Sequence, residues 1–125
     1  MTVWDTTGLA PEDQPRFEYV NREQISDDLK EVFDSIVGSQ RGVGTLSNGA
    51  LPGPFNGWMY TDPEMARALD SIGMAIRSNT TNVPKTMKEV AICVIGAHFR
   101  SNVEFWAHSR ICLLYTSPSP RDAES

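Results

Sequence analysis

The sequence predicts an all-α fold. Apolar residues recur at three- and four-residue spacing over several windows, and no window alternates with period two for long enough to argue a strand. Proline, glycine and capping residues also stand where helices would begin and end. The chain has 125 residues, 40% of them hydrophobic and 22% charged, which suits one globular domain at most.

Residues 1–22 carry Pro11 and Pro15 without helical periodicity, so an extended arm or a fraying terminus is expected, packing in part through Trp4, Phe17 and Tyr19. From Ile25 the apolar positions Ile25, Leu29, Val32, Phe33, Ile36 and Val37 fall on one helical face, and Gly38 is placed to end it. The stretch 38–54 holds five glycines and two prolines and is expected to be a long irregular loop, a kind that usually carries function or motion. The phrase Leu51-Pro-Gly-Pro-Phe-Asn-Gly-Trp58 suits a wall over a pocket and a plain turn equally.

Asp62 as N-cap, Pro63 at the first helical position and Glu64 in the first turn predict a second helix. Its expected buried face is Met65, Leu69, Ile72, Gly73 and Ile76. The run 78–82 breaks it. Pro84 opens a third helix with Met87, Val90, Ala91, Val94 and Ile95 on one face, apolar enough to be central. Ser101 and Asn102 interrupt, and a further helix begins with Val103, Phe105 and Trp106. Met59, Met65, Met74 and Met87 read as core filler.

Composition excludes several function classes. The longest apolar run, 90–97, is eight residues, where a membrane span needs about twenty, so no membrane partner is expected. The N-terminus reads Met-Thr-Val-Trp-Asp, without a secretory pattern, which makes a cytoplasmic protein the default. A net charge of −5 with scattered basic residues argues against nucleic acid as a partner. Cys93 and Cys112 are spaced for neither a disulfide framework nor a zinc site, and no metal site is expected.

Residues from Cys112 read Cys-Leu-Leu-Tyr-Thr-Ser-Pro-Ser-Pro-Arg-Asp, which resembles the conceptual translation of a transposase-type sequencing adapter. The expectation is that 112–125 are not native; a natural Ser/Pro-rich tail is the alternative. Setting them aside removes Arg121, Asp122 and Glu124, and the chain stays acidic.

Glu104 and His108 lie four residues apart and share a helix face, an arrangement suited to proton transfer because a carboxylate favours and orients a protonated ring. Ser101-Asn-Val-Glu104 is equally a capping box, which would give Glu104 a structural task. His98 continues the stripe of Met87, Val90, Ala91, Val94 and Ile95, where a polar ring needs a partner or a function. Glu89 precedes the apolar run of the same helix, and pattern alone reads it as a solvated carboxylate near the helix start. Cys93 sits inside that run and reads as a buried, inert thiol.

These pieces together resemble the carboxymuconolactone decarboxylase-like family, which includes the alkyl hydroperoxidase D-type proteins. The matching elements are Gly53-Pro-Phe-Asn-Gly-Trp58, Asp62-Pro-Glu-Met-Ala66, Pro84-Lys-Thr-Met-Lys-Glu-Val-Ala-Ile92 and His98-Phe-Arg-Ser-Asn-Val-Glu-Phe-Trp-Ala-His108. The resemblance implies a helical domain over 23–111, C-terminally truncated, that assembles as a homotrimer or a higher multiple, with its site at the end of the central helix. It places the family's functional carboxylate on Glu89 and its histidine on His108. The cysteine pair of the peroxidase-type members falls on Ser101 and Glu104, so thiol peroxidase activity is disfavoured although "peroxiredoxin activity" is a common family label. The Glu-x-x-x-His pattern of decarboxylase-type members is present.

The implied catalytic set is therefore His108, Glu104 and Glu89, with His98, Arg100 or Arg110, and Trp58 toward the substrate, a small lactone or carboxylic acid. No cofactor is implied. A relative without the thiol pair, or a non-catalytic helical oligomer that binds a small molecule, is the alternative. Resequencing the source locus past codon 111 is expected to uncover adapter; an in-frame Ser-Pro-Ser-Pro coding region there overturns that reading.

Overall fold

The computed structural model describes residues 16–40, 43–79 and 82–116. Every regular element among them is helical, in two compact units, Met1–Thr80 and Thr81–Ser125. Trp4 and both prolines of the expected arm, and 117–125 of the expected foreign tail, lie outside the described residues. Among the described residues no helix is long and apolar enough to cross a membrane.

In the first unit, helix α1 spans Asp27–Val37. It starts two residues after Ile25 because the Ser26 side chain accepts the Leu29 N–H, and Asp27 and Asp28 place negative charge in the first turn. Leu29, Val32, Phe33 and Ile36 are buried as their spacing predicts, whereas Val37, expected on the same face, is exposed at the last position of the helix. Gly38 ends the helix, donating its N–H to the Asp34 carbonyl; its φ of −79° is ordinary, so it does not use the left-handed conformation that favours glycine.

The loop that follows builds core. Val43, Leu46, Ala50 and Leu51 are buried, and the Leu46 N–H to Ala50 carbonyl bond closes a turn that Gly49 completes at φ +82°. It leads into α2, Pro54–Trp58, a short helix absent from the sequence reading and opened by Pro54. Asn56 on α2 is almost fully buried. Its Oδ1 accepts the Val20 N–H at 3.1 Å and its Nδ2 donates to the Glu18 carbonyl at 3.0 Å. The Tyr60 hydroxyl donates to the same carbonyl, and Phe17 stacks on the Tyr60 ring. The inner part of the arm is thus held by α2 and the turn after it.

Helix α3, Pro63–Met74, begins where Asp62, Pro63 and Glu64 predict, although the Asp62 side chain makes no capping bond. Its buried face differs from the expected one. Ala66 and Asp70 are buried, whereas Met65, Ile72 and Ile76 are exposed. The reason is local to the packing on α1: Ala66 is small enough for close approach, and Asp70 accepts a 2.8 Å bond from the Ser35 hydroxyl. Arg67 meanwhile reaches Asp28 and Glu31 of α1. The chain continues as a π-helical turn, Ala75–Asn79, through part of the stretch expected to break the helix. Of the four methionines read as filler, Met59 is buried in the core, while Met65 and Met87 are exposed.

The second unit is a hairpin of α4, Lys85–His98, and α5, Asn102–Thr116; α5 runs through the first five residues of the segment set apart as foreign. The connection is a Schellman turn: the Ser101 N–H reaches the Gly96 carbonyl at 2.8 Å and the Arg100 N–H reaches the Ala97 carbonyl at 3.2 Å. Arg100 holds the left-handed position, φ +54°, where glycine is usual. Gly96 lies against α5 so closely that a Cβ there would stand 3.2 Å from the Phe105 amide nitrogen. Here the expected burial is overturned. Met87, Val90, Ala91, Val94 and Ile95 are exposed, and the buried residues of α4 are Glu89 and Gly96. The periodicity argument equates apolar with inward, but the positions facing α5 hold a glycine for close approach and a charge with a bonded partner.

Ile36→Ala is expected to destabilise the protein by about 2–5 kcal/mol in urea unfolding, and the exposed Met65→Ala by less than about 0.5 kcal/mol. Comparable losses at both sites would contradict the assigned α3 face.

Candidate acid-base site

Glu89 projects from α4, and His108 and Glu104 project from α5, one turn apart. His108 Nδ1 lies 2.6 Å from Glu89 Oε2, and Nε2 lies 3.3 Å from Glu104 Oε2. A ring with a carboxylate at each nitrogen can donate to both only as the doubly protonated imidazolium. The Glu89 side chain is 1% exposed and that of His108 8%, so this short pair is a charge-assisted bond away from water. Glu104 is more open, at 34%.

The turn explains why Glu104 serves the histidine. A capping box requires the Ser101 N–H to remain available to Glu104, but the Gly96 carbonyl takes that N–H. The capping-box reading is corrected accordingly: Glu104 runs along α5 to His108. Glu89 stands 19 residues from His108, and burial replaces the solvated role that pattern alone assigned to it.

The other expected residues are dispersed. His98 is exposed at the end of α4, edge-on to Phe99, so the expectation of a polar ring inside a buried stripe fails with the stripe. Arg100 lines a cleft of about 410 Å³ at the turn, with Gly96, Ala97, Ser101, Asn102 and Phe105. Arg110 lies over the Trp106 ring, 4.6 Å from its centroid. Trp58 belongs to the first unit, where it packs edge-on against Phe55 beside the core.

Cys93 is half-buried rather than buried, on an apolar cleft of about 420 Å³ with Val90, Val94 and Phe105. Burial pushes its thiol up from the ordinary value, and Cys112 and Glu89 add to the effect. Among the described residues no cluster of three or more His, Cys, Asp or Glu side chains could hold a metal ion.

Sequence reasoning from spacing found Glu104 with His108. It missed Gly96, whose mid-helix position was the available sign of a close approach. No protein-family model, curated protein or solved structure matches the chain.

Two outcomes follow from this geometry. Gly96→Ala should push the Phe105 backbone from α4 by a few tenths of an ångström, at a cost of about 1–3 kcal/mol that the gain of about 1 kcal/mol for alanine over glycine within a helix offsets only in part, seen as a lower melting temperature and a shifted His108 ring signal in NMR. Because a raised thiol holds less thiolate at neutral pH, Cys93 should alkylate more slowly than a free thiol at pH 7 and stay unmodified by mild peroxide. Rapid sulfenic acid formation at Cys93, read by mass spectrometry, contradicts this.

Proposed function

We propose that the chain is a carboxymuconolactone decarboxylase-like protein performing lyase-type acid-base chemistry on a small lactone or carboxylic acid in the cytoplasm. The observation that carries this reading is the buried 2.6 Å contact between Glu89 and His108 with Glu104 at the second ring nitrogen. Loss of carbon dioxide from a carboxylate conjugated to a lactone leaves a delocalised dienolate, which must be stabilised and then protonated. A histidine held between two carboxylates is equipped to carry that proton. Arg100, on the cleft at the turn, is suited to a substrate carboxylate. Its left-handed backbone supports a functional reading, since such strain is retained where a side chain is needed. Ser101 and Glu104 at the thiol positions, together with the raised thiol of Cys93, disfavour thiol peroxidase chemistry.

The proposal includes assembly as a homotrimer or higher multiple. The exposed apolar face of Met87, Val90, Val94 and Ile95 supports it, because faces of this kind mark interaction surfaces. The same face, with the apolar cleft beside Cys93, supports the second reading, a non-catalytic helical oligomer that binds a small apolar molecule.

Carboxymuconolactone, followed by ultraviolet absorbance and carbon dioxide release, separates the two. His108→Asn is expected to lower turnover by about 10²- to 10⁴-fold with helical content retained. No turnover by the unmodified protein favours the binding reading. Arg100→Gly should gain about 1 kcal/mol of stability by relieving the left-handed backbone while raising KM. A stabilised variant with unchanged KM removes Arg100 from the substrate site.

A further inference from the structure

The three side chains of the site form a row graded in exposure: Glu89 at 1%, His108 at 8% and Glu104 at 34%. A proton carrier must come within hydrogen-bond reach of the atom it serves. Both ring nitrogens of His108 already face carboxylates, so a substrate could reach the ring only by displacing one of them. Glu104 is the member of the row with substantial contact with solvent. Asn102 and Phe105, on either side of it in sequence, line the cleft of about 410 Å³ with Arg100, and Glu104 borders that cleft beside Gly96 without being one of its lining residues. A Cβ built on Gly96, another lining residue, would stand 3.4 Å from the Glu104 Cβ.

We infer that Glu104 is the catalytic residue that touches the substrate, and that His108 and Glu89 are positioning residues behind it. The inference rests on the acid-base reading and deepens it by reversing the roles of the histidine and its neighbour. The proton balance is simple. Glu104, a carboxylate at rest against the His108 imidazolium, takes the Nε2 proton across the 3.3 Å contact and gives it to the carbanion left by decarboxylation, so an N–H bond breaks, a C–H bond forms and Glu104 ends as a carboxylate. Glu89 then holds the neutral ring through the remaining Nδ1–H. Water returns a proton to the ring once product has left. Run in the opposite direction, the row withdraws a proton from a carbon or hydroxyl acid.

The experiment uses the intact chain with carboxymuconolactone, Glu104→Ala, Glu104→Gln, Glu89→Gln and His108→Asn, and helical content as the check on folding. Glu104→Ala is expected to lose about 10²- to 10⁴-fold in kcat with little change in KM, and Glu104→Gln a comparable amount. Added formate or acetate should restore Glu104→Ala by about tenfold or more, because the vacated place is open to solvent and a small acid can take over the proton transfer. The same acids should do nothing for Glu89→Gln, whose site is closed. Rescue is the readout that a merely structural role would not move.

Glu104→Gln within about threefold of the unmodified protein, with His108→Asn inactive, overturns this assignment and leaves the acid-base reading standing. Loss without rescue in Glu104→Ala, or rescue of Glu89→Gln instead, also overturns it. Absence of turnover by the unmodified chain sinks the acid-base reading and this assignment together.

Discussion

The second unit depends on one buried ion pair. Glu89 and His108 are taken out of water, and their mutual attraction at 2.6 Å must offset a desolvation cost of several kcal/mol per ion. Such a pair contributes little net stability compared with apolar side chains of the same shape, yet losing one partner costs about 3–5 kcal/mol because a charge is then stranded. The pair therefore restricts which arrangements of α4 and α5 are tolerable more than it strengthens the one observed. Close approach is a precondition, and Gly96 against the Phe105 amide supplies it. The Schellman turn sets where α5 begins, and so which residues of α5 look back at Glu89.

The two units are built on opposite plans. The first has an apolar interior of Leu29, Val32, Phe33, Ile36, Leu51, Phe55 and Met59, with buried polar groups such as Asn56 and Asp70 individually bonded. The second buries a charged pair, with glycine and alanine as its small contacts, and shows its larger apolar side chains outward. Hydrophobic burial is the main favourable term in folding. Within the hairpin it is largely unused, and this is the physical basis for expecting a covering surface on α4.

This contrast also explains what was legible in the sequence. Where a helix packs an apolar stripe on an apolar core, as α1 does, spacing alone gives most of the buried set, with Val37 exposed and Ile25 standing before the Ser26 cap. For α3 the face was misread because Asp70 counts as polar until its Ser35 partner is known. For α4 the misreading is complete, since the inward positions are the glycine and the glutamate. The local half of the site, Glu104 with His108, was legible because helical geometry fixes residues four apart. Glu89 was reached only through the family resemblance: a contact across 19 residues depends on how a turn redirects the chain, which no spacing encodes. The short helix α2 is below the length at which periodicity has a signal.

Asn56 has a chemical consequence of its own. Its amide engages the Val20 N–H and the Glu18 carbonyl much as a peptide group of a neighbouring strand would, so an extended segment is held without a sheet. The residue after it is Gly57, and an asparagine followed by glycine is prone to cyclise to a succinimide and lose its amide nitrogen. The product would set a carboxylate oxygen against the Glu18 carbonyl where a donor had stood. Helix α2 and burial keep the Asn56 side-chain carbonyl from attack by the Gly57 backbone nitrogen while the unit is folded. Each opening of that helix is then an opportunity for irreversible chemical ageing, and the lifetime of the arm's attachment is set by how seldom this small segment unfolds.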